Sequence, residues 1–290
     1  LEILTKLAKF MCFAENKLNE RRTEMAKPLL PDDLWNLLEP LFPADTPPGP
    51  QGGRPRVSSR QALTGILFVL KTGIPWEDLP AEMNCGSGMT CWRRLRDWQL
   101  DGTWKKIHGF LLERLEQAGK LDWSRAAIDF VGAGSFWGVD TGPNPTDRAK
   151  KGSKHHIMVD ANGVPLSATV SGANVHDVNQ LLPTVVGCPM PAYGEEGHLP
   201  GRLLADAAYP SRDHEALIRW IGIEPVFAQR GRAHGSGLGK QRYVVEQTIA
   251  ALHQNRRLKV RYDKRSDIHQ AFLTLACIKV CWYRLRKKTE

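Results

Sequence analysis

Apolar positions recur at helical spacing through the first part of the chain and at strand spacing after it. Leu34, Leu37, Leu38 and Leu41 fall on one side of a helix over about 32–41, which Asp32 or Asp33 can cap. Proline and glycine crowd residues 43–56, which reads as a loop. Ser58 or Ser59 opens a second helix over about 60–71, and Gly73 closes it. A helical turn at 76–79 and helices at 89–98 and 104–118 follow, the last ending at Gly119. Residues 25–120 are therefore expected to be all helical.

From Leu121 the period shortens. Residues 125–131 form an apolar strand, and 156–159 and 164–170 flank Asp160-Ala-Asn-Gly163, a hairpin-type turn. A helix is expected at 175–186, a strand at 202–205 ending at Asp206, a helix at 212–221 and a strand at 225–228. Helices at 242–258 and 268–286 complete the chain. Three meandering strands followed by alternating helices and strands are the order of an RNase H-like α/β fold, a mixed sheet with flanking helices. The boundary between this unit (121–290) and the helical one (25–120) is placed near 120. Residues 1–24 carry no strong core pattern and read as an N-terminal extension, with Met25 as the expected natural start. Residues 187–201 read as an exposed loop.

Composition adds a direction. The chain is 290 residues long, 42% hydrophobic and 24% charged, as expected of a folded globular protein. No apolar run approaches the length of about 18 residues that a spanning helix needs, and no signal-peptide pattern opens the chain. A cytoplasmic, nucleoid-associated protein with no membrane partner is the expectation. Its six cysteines form no C-x-x-C pair and read as buried free thiols. The net charge is +9, and residues 240–290 alone carry 13 Lys/Arg against 4 Asp/Glu. A basic concentration of that kind attracts polyanions through counterion release, or it is a solvated helix face.

Three acids stand in apolar surroundings. Asp129 lies inside Ala126-Ala-Ile-Asp129-Phe-Val, Asp206 ends Leu203-Leu-Ala-Asp206, and Glu246 borders the apolar face made by Val244, Val245, Ile249 and Leu252. An ionised carboxylate in an apolar strand is costly unless paired or bound to a cation. Magnesium takes hard oxygen ligands, and two ions about 3.5–4 Å apart can activate a hydroxyl and stabilise the leaving oxygen of a phosphodiester. Each acid also has a plain alternative. Asp129 can pair with Lys154, Asp206 can cap the turn that follows it, and Glu246 can pair with Arg242 one turn back. Together, and in this order, they favour a metal site.

With these residues in place, the chain resembles the DDE transposases of bacterial insertion sequences, in particular the IS-five family. The likeness spans roughly 29–286. It rests on Gly53-Arg-Pro-Arg56, Gly73-Ile-Pro-Trp76-Glu-Asp-Leu79, Thr141-Gly-Pro-Asn-Pro-Thr-Asp147, Gly152-Ser-Lys-His-His156 and Gly172-Ala-Asn-Val-His-Asp177. It continues through Leu204-Ala-Asp206 with Tyr209, His234-Gly-Ser-Gly-Leu-Gly239 and Val245-Glu246 followed by Arg256-Arg-Leu258. The resemblance implies Asp129, Asp206 and Glu246 as catalytic and metal-binding acids, with Arg242 as the arginine four residues before the glutamate. It implies magnesium, or manganese in its place, and double-stranded DNA as partner, both terminal inverted repeats and target, handled by a homo-oligomer. Water would nick the element's ends, and the freed 3′ hydroxyl would attack target DNA. The helical segment resembles a helix-turn-helix module, with Arg93, Arg94 and Arg96 as candidate DNA contacts. Lys154, His156, Arg242, Arg256 and Arg257 are the candidates near the catalytic unit.

The pattern departs from the family in places. After Asp129 the family usually has small hydroxylated residues and Val-Arg-Ala, whereas this chain has Phe130-Val-Gly-Ala-Gly-Ser-Phe-Trp137. Gln247-Thr-Ile249 replaces Arg-Thr-aromatic, and His253 stands where a basic residue often does. Residues 234–241 lack the first glycine and the Ser/Thr of a phosphate loop. His155, His156 and His176 lack zinc-ligand spacing, Asp177 reads as a helix cap, and Trp92, Trp98 and Trp104 read as core. The rival readings are a decayed transposase that only binds repeat ends and a metal-dependent nuclease that cuts without joining.

Overall fold

A computed structural model of the chain describes residues 28–45, 56–190, 199–228 and 238–287. The proposed extension 1–24, the Gly53–Pro55 part of the first matched stretch and most of the glycine-rich run at 234–239 lie outside the described residues. Helices come first: α1 (Asp32–Leu38), α2 (Ser59–Thr72), α3 (Gly88–Leu100) and α4 (Thr103–Gln117). Helix α2 starts where Ser58 and Gln61 form a reciprocal capping box, and it stops at Gly73, whose left-handed φ of 75° favours glycine. The helix expected at 32–41 ends as a 3-10 turn, Glu39–Leu41, because Pro40 interrupts the α pattern.

The second part contains β1 (Ala126–Ser135), β2 (Gly142–Pro143), β3 (Lys151–Asp160), β4 (Pro165–Gly172), α5 (Leu181–Val186), β5 (Arg202–Ala205), α6 (Arg212–Trp220) and β6 (Glu224–Phe227). Then come α7 (Leu238–Leu252), α8 (Arg256–Lys259), β7 (Val260–Arg261) and α9 (Ser266–Arg286). In the sheet, β4, β3 and β1 run antiparallel in that order, and β5 and β6 continue parallel from β1. This is the RNase H-like arrangement expected from the element order. Two short strands were not anticipated. β2 pairs antiparallel with the start of β3, and β7 pairs in parallel with the far end of β1 at Gly134–Val260 and Ser135–Arg261.

Two helices differ from expectation. The stretch at 175–186 is a 3-10 turn followed by the short α5, with Pro183 inside it. The helix expected over 242–258 stops at Leu252, and the chain restarts at Asn255 to form α8 and β7. Helix α9 is buried nearly all round, through Ile268, Phe272, Leu275, Ala276 and Ile278 among others, because it lies between α4 and the β4 side of the sheet. Burying side chains of this size contributes about 1.5–3 kcal/mol each. The apolar residues of the N-terminal helices and of the sheet form one continuous core. Within it, Trp98 and Trp104 meet edge to face at 5.5 Å, and Phe42 lies 4.7 Å from Trp98. Four cysteines, Cys85, Cys91, Cys277 and Cys281, are buried free thiols.

Candidate active site

Strand β1 places Asp129 in the middle of the sheet. The parallel register pairs Ala126 with Leu203 and Ala127 with Leu204. Continued by two residues, it sets Asp129 level with Asp206, just beyond the end of β5. Neighbouring strands lie about 4.8 Å apart, so the two carboxylates share one small space at the carboxyl end of β5. Burial pushes the Asp129 carboxyl up from its usual range, and the charge of Asp206 adds to that, against the Phe130 amide and Arg242. Asp206 also accepts from the Ala208 amide at 2.8 Å. The turn-capping alternative and the shared-site reading therefore coexist at this residue.

Helix α7 crosses the sheet beside them. Val244, Val245, Thr248 and Leu252 are buried beneath it, and the helix contacts β1, β3 and β5. From its first turns Arg242 reaches down, and its Nη2 donates to Asp129 Oδ2 at 2.9 Å. Each side chain of that pair is about 15% exposed. The alternatives drawn from sequence thus resolve differently: Arg242 holds Asp129 rather than Glu246, and Lys154 does not hold Asp129 at all. The buried Nε of Arg242 has no hydrogen-bond partner among the described residues. Glu246 is exposed, one helical turn beyond Arg242 and so on the same side of α7. Among the described residues no group of three His, Cys, Asp or Glu stands ready around one ion. The structure brings Asp129 and Asp206 together and leaves Glu246 at the rim.

Other candidate positions sort by burial. Lys154 is buried on β3, paired with Asp177 at 2.8 Å and 4.7 Å from the Phe130 ring. Asp177 therefore answers Lys154 and makes no side-chain cap, contrary to the capping expectation. His156 is fully buried, within 2.9 Å of Ser171 Oγ and 3.3 Å of the Tyr209 hydroxyl. Burial first, and Lys154 next, bring its pKa down to about 3, so the imidazole is neutral. It buttresses the site from within rather than facing a phosphate. Tyr209, raised by burial and by the nearby acids, stays protonated behind Asp206. Arg257 is 3% exposed, forked onto Asp263 at 2.9 and 3.3 Å and bonded to the Ile74 carbonyl. That gives it an internal structural role in place of the expected DNA contact. Arg256 is exposed.

On α3, Arg94 is held by Asp45 and the Val57 carbonyl, and Arg96 pairs with Asp97 while lying over Trp92. Arg93 is exposed and lines a cavity of about 430 Å³ with Arg56, Arg94 and Ser87. Sequence reasoning missed a chain of imidazoles: His253 contacts His155 at 3.2 Å, and His155 contacts His269 at 2.8 Å. No spacing rule would have found it, since the three rings come from β3, the end of α7 and α9.

Residues 30–108 match the family described as "Putative transposase of IS4/5 family", and residues 114–281 match "Transposase DDE domain". A Burkholderia cepacia protein named "Putative transposase for insertion sequence element IS402" is 55% identical over 158 residues, which are 53% of this chain and 74% of that protein. A second from the same organism, "Insertion element IS402 uncharacterized 16.2 kDa protein", is 58% identical over 123 residues, 39% of this chain and 82% of its own. Among solved structures, a pre-cleavage Mos1 transpososome aligns over 82% of each chain at 10% identity and a TM-score of 0.28.

Proposed function

The chain belongs to the DDE transposase family, in the IS4/5 group, and we propose that Asp129, Asp206 and Glu246 form the acidic site of this DNA transposase. DDE transposases act on DNA with divalent cations, and for this chain we assign magnesium, with manganese as a substitute. The observation that carries the reading is the pair Asp129–Asp206, set level by the parallel β1–β5 register continued just past the end of β5, and faced by Arg242, whose buried Nε–H is unspent among the described residues. Hard carboxylate oxygens in that number suit a small divalent cation, and their mutual repulsion is what such a cation relieves. Asp129 and Asp206 would hold it, and Glu246 would complete the site from α7. The bound cations would activate the attacking hydroxyl and stabilise the leaving oxygen of a phosphodiester. Arg242 keeps Asp129 compensated before loading and offers its free Nε–H to a phosphate afterwards. Lys154, Asp177, His156 and Tyr209 fix the floor beneath.

Within this reading the helices up to residue 120 bind the terminal inverted repeats, with Arg93 and Arg56 as the exposed contacts, and the chain works as a homo-oligomer on paired ends. The test is a cleavage and strand-transfer assay with magnesium and labelled element-end DNA. Wild type cuts and joins. Glu246→Gln retains end binding and loses both steps by at least a hundredfold. A Glu246→Gln protein that cuts at the wild-type rate rejects the assignment. Cutting without joining by wild type identifies a nuclease, and binding alone a decayed enzyme.

A further inference from the structure

The run after Asp129 departs from the family pattern, and the structure shows where its end goes. Phe136 is 62%, Trp137 48% and Tyr262 44% exposed. They form one surface: the Phe136 ring lies 5.8 Å from Trp137 and 6.0 Å from Tyr262. Lys264 Nζ stands 5.8 Å from the Trp137 ring, and Val139 continues the apolar edge. Large exposed aromatics are costly, so a cluster of three marks an interaction surface.

The cluster is also held rigidly. Arg261 is fully buried and donates to the carbonyls of Val139, Asp140 and Asp263 and to Ser153 Oγ. Ser135 Oγ donates to the Trp137 carbonyl, the Trp137 indole N–H donates to the Tyr262 carbonyl, and the Val139 amide donates to the Lys264 carbonyl. Gly138 sits at φ 116°, where a Cβ would meet the Lys264 carbonyl oxygen at 2.7 Å. The fold thus uses a buried guanidinium and a glycine-only turn to hold three rings outward. Rings that are already ordered lose little entropy on stacking.

We infer that Phe136, Trp137 and Tyr262, with Lys264, form a stacking platform for unpaired nucleobases of the DNA substrate. Every base has a π-face, and an aromatic surface beside cations accepts single strands with little sequence preference. The charge around it selects the occupant. Lys264, Lys259 and Arg256 are exposed on the segment that carries Tyr262, against the single exposed Asp140 across the loop. A second copy of this chain would bring the same cations face to face, whereas a nucleic acid neutralises them. β1 links the two sites directly: Ser135 is six residues past Asp129, about 20 Å at about 3.3 Å per residue, or about six stacked nucleotides. The platform is therefore in reach of strands that separate beside the acidic site. The inference rests on the transposase reading, but it is tested without catalysis.

The experiment measures binding in EDTA, by fluorescence anisotropy, of a 20-nucleotide oligothymidylate and of a 20-base-pair duplex. The proteins are wild type, Phe136→Ala, Tyr262→Ala, Lys264→Gln and the Phe136→Ala/Tyr262→Ala double variant. Each ring removed is expected to weaken single-strand binding by about tenfold, with duplex binding within threefold of wild type. The Phe136 ring makes no hydrogen bond and is largely exposed, so a thermal melt of that variant should match wild type. Equal loss for single strand and duplex, or no loss for either, overturns the platform. So does a wild-type dimer, seen by sedimentation, that Phe136→Ala converts to monomer with single-strand binding unchanged. If Glu246→Gln leaves cleavage intact while these binding losses appear, the acidic-site assignment fails and the platform stands.

Discussion

Asp206→Asn separates the shared-carboxylate account from an account in which Asp206 only caps a turn. The asparagine keeps the oxygen that accepts from the Ala208 amide and removes the charge. Two unit charges about 5 Å apart repel by about 3 kcal/mol at an effective dielectric of about 20. Asp206 is half-buried and Arg242 already compensates Asp129, so solvent and the arginine reduce the net relief to about 1 kcal/mol. Without metal the variant should be more stable than wild type by about that amount, a rise of about 2–4 °C in Tm for a chain of this size. In magnesium the order should reverse. A site with a Kd of about 1 mM gives wild type about 1.4 kcal/mol at about 10 mM cation, and the variant should gain little of it. Paired thermal and urea unfolding in EDTA and in magnesium read both effects. A variant less stable than wild type in EDTA, with an undiminished response to magnesium, refutes the reasoning.

Three further outcomes test the scaffold. Arg261 is itself 0% exposed, and Arg261→Met takes the donor from Ser153 Oγ and the carbonyls of Asp263, Asp140 and Val139, so it should cost at least about 3 kcal/mol in urea unfolding, with faster proteolysis after residue 136. Ser58→Ala breaks the capping box of α2 and should cost about 1 kcal/mol. Burial, and then Lys71, lower the Lys279 ammonium to about 8. Because its folded pKa lies below its unfolded one, the penalty is full below pH 8 and disappears as pH rises towards 10.5. Lys279→Met should therefore gain about 2 kcal/mol at pH 7.5, after loss of the 2.6 Å bond to Asn255, and the gain should shrink as pH rises and be gone before pH 10.5. A gain that does not change with pH would assign it to packing instead.

The order of elements along the chain was legible because each of the five longer strands stands as a separate run between turn residues or helices. β2 and β7 were not, since two-residue strands carry no period; β7 forms because β1 runs on to Ser135 and gives it an edge, and β2 forms against the start of β3. Asp129 and Asp206 could be picked out as acids ending or interrupting apolar strands, and their alignment follows from parallel pairing that sequence alone does not register. Partners were harder. The choice of Arg242 for Asp129 and of Lys154 for Asp177 depends on where α7 and the turn after β4 land, which is long-range geometry. The basic C-terminal segment also changed meaning. Arg257 and Arg261 are buried and spent on internal acceptors, so the surface open to DNA is smaller than the count of cations suggested. The aromatic cluster was invisible for a similar reason: Phe136 and Tyr262 are far apart in sequence and meet only through the β1–β7 pairing.

The central claim is that three acids from β1, the end of β5 and α7 share divalent cations. Anomalous diffraction from crystals grown with element-end DNA and manganese tests it most directly. The account predicts a manganese peak between the carboxylates of Asp129 and Asp206, with a Glu246 oxygen in its coordination shell and Arg242 turned from Asp129 towards a phosphate. Manganese bound elsewhere, with Arg242 still on Asp129 and Glu246 still facing solvent, would contradict it.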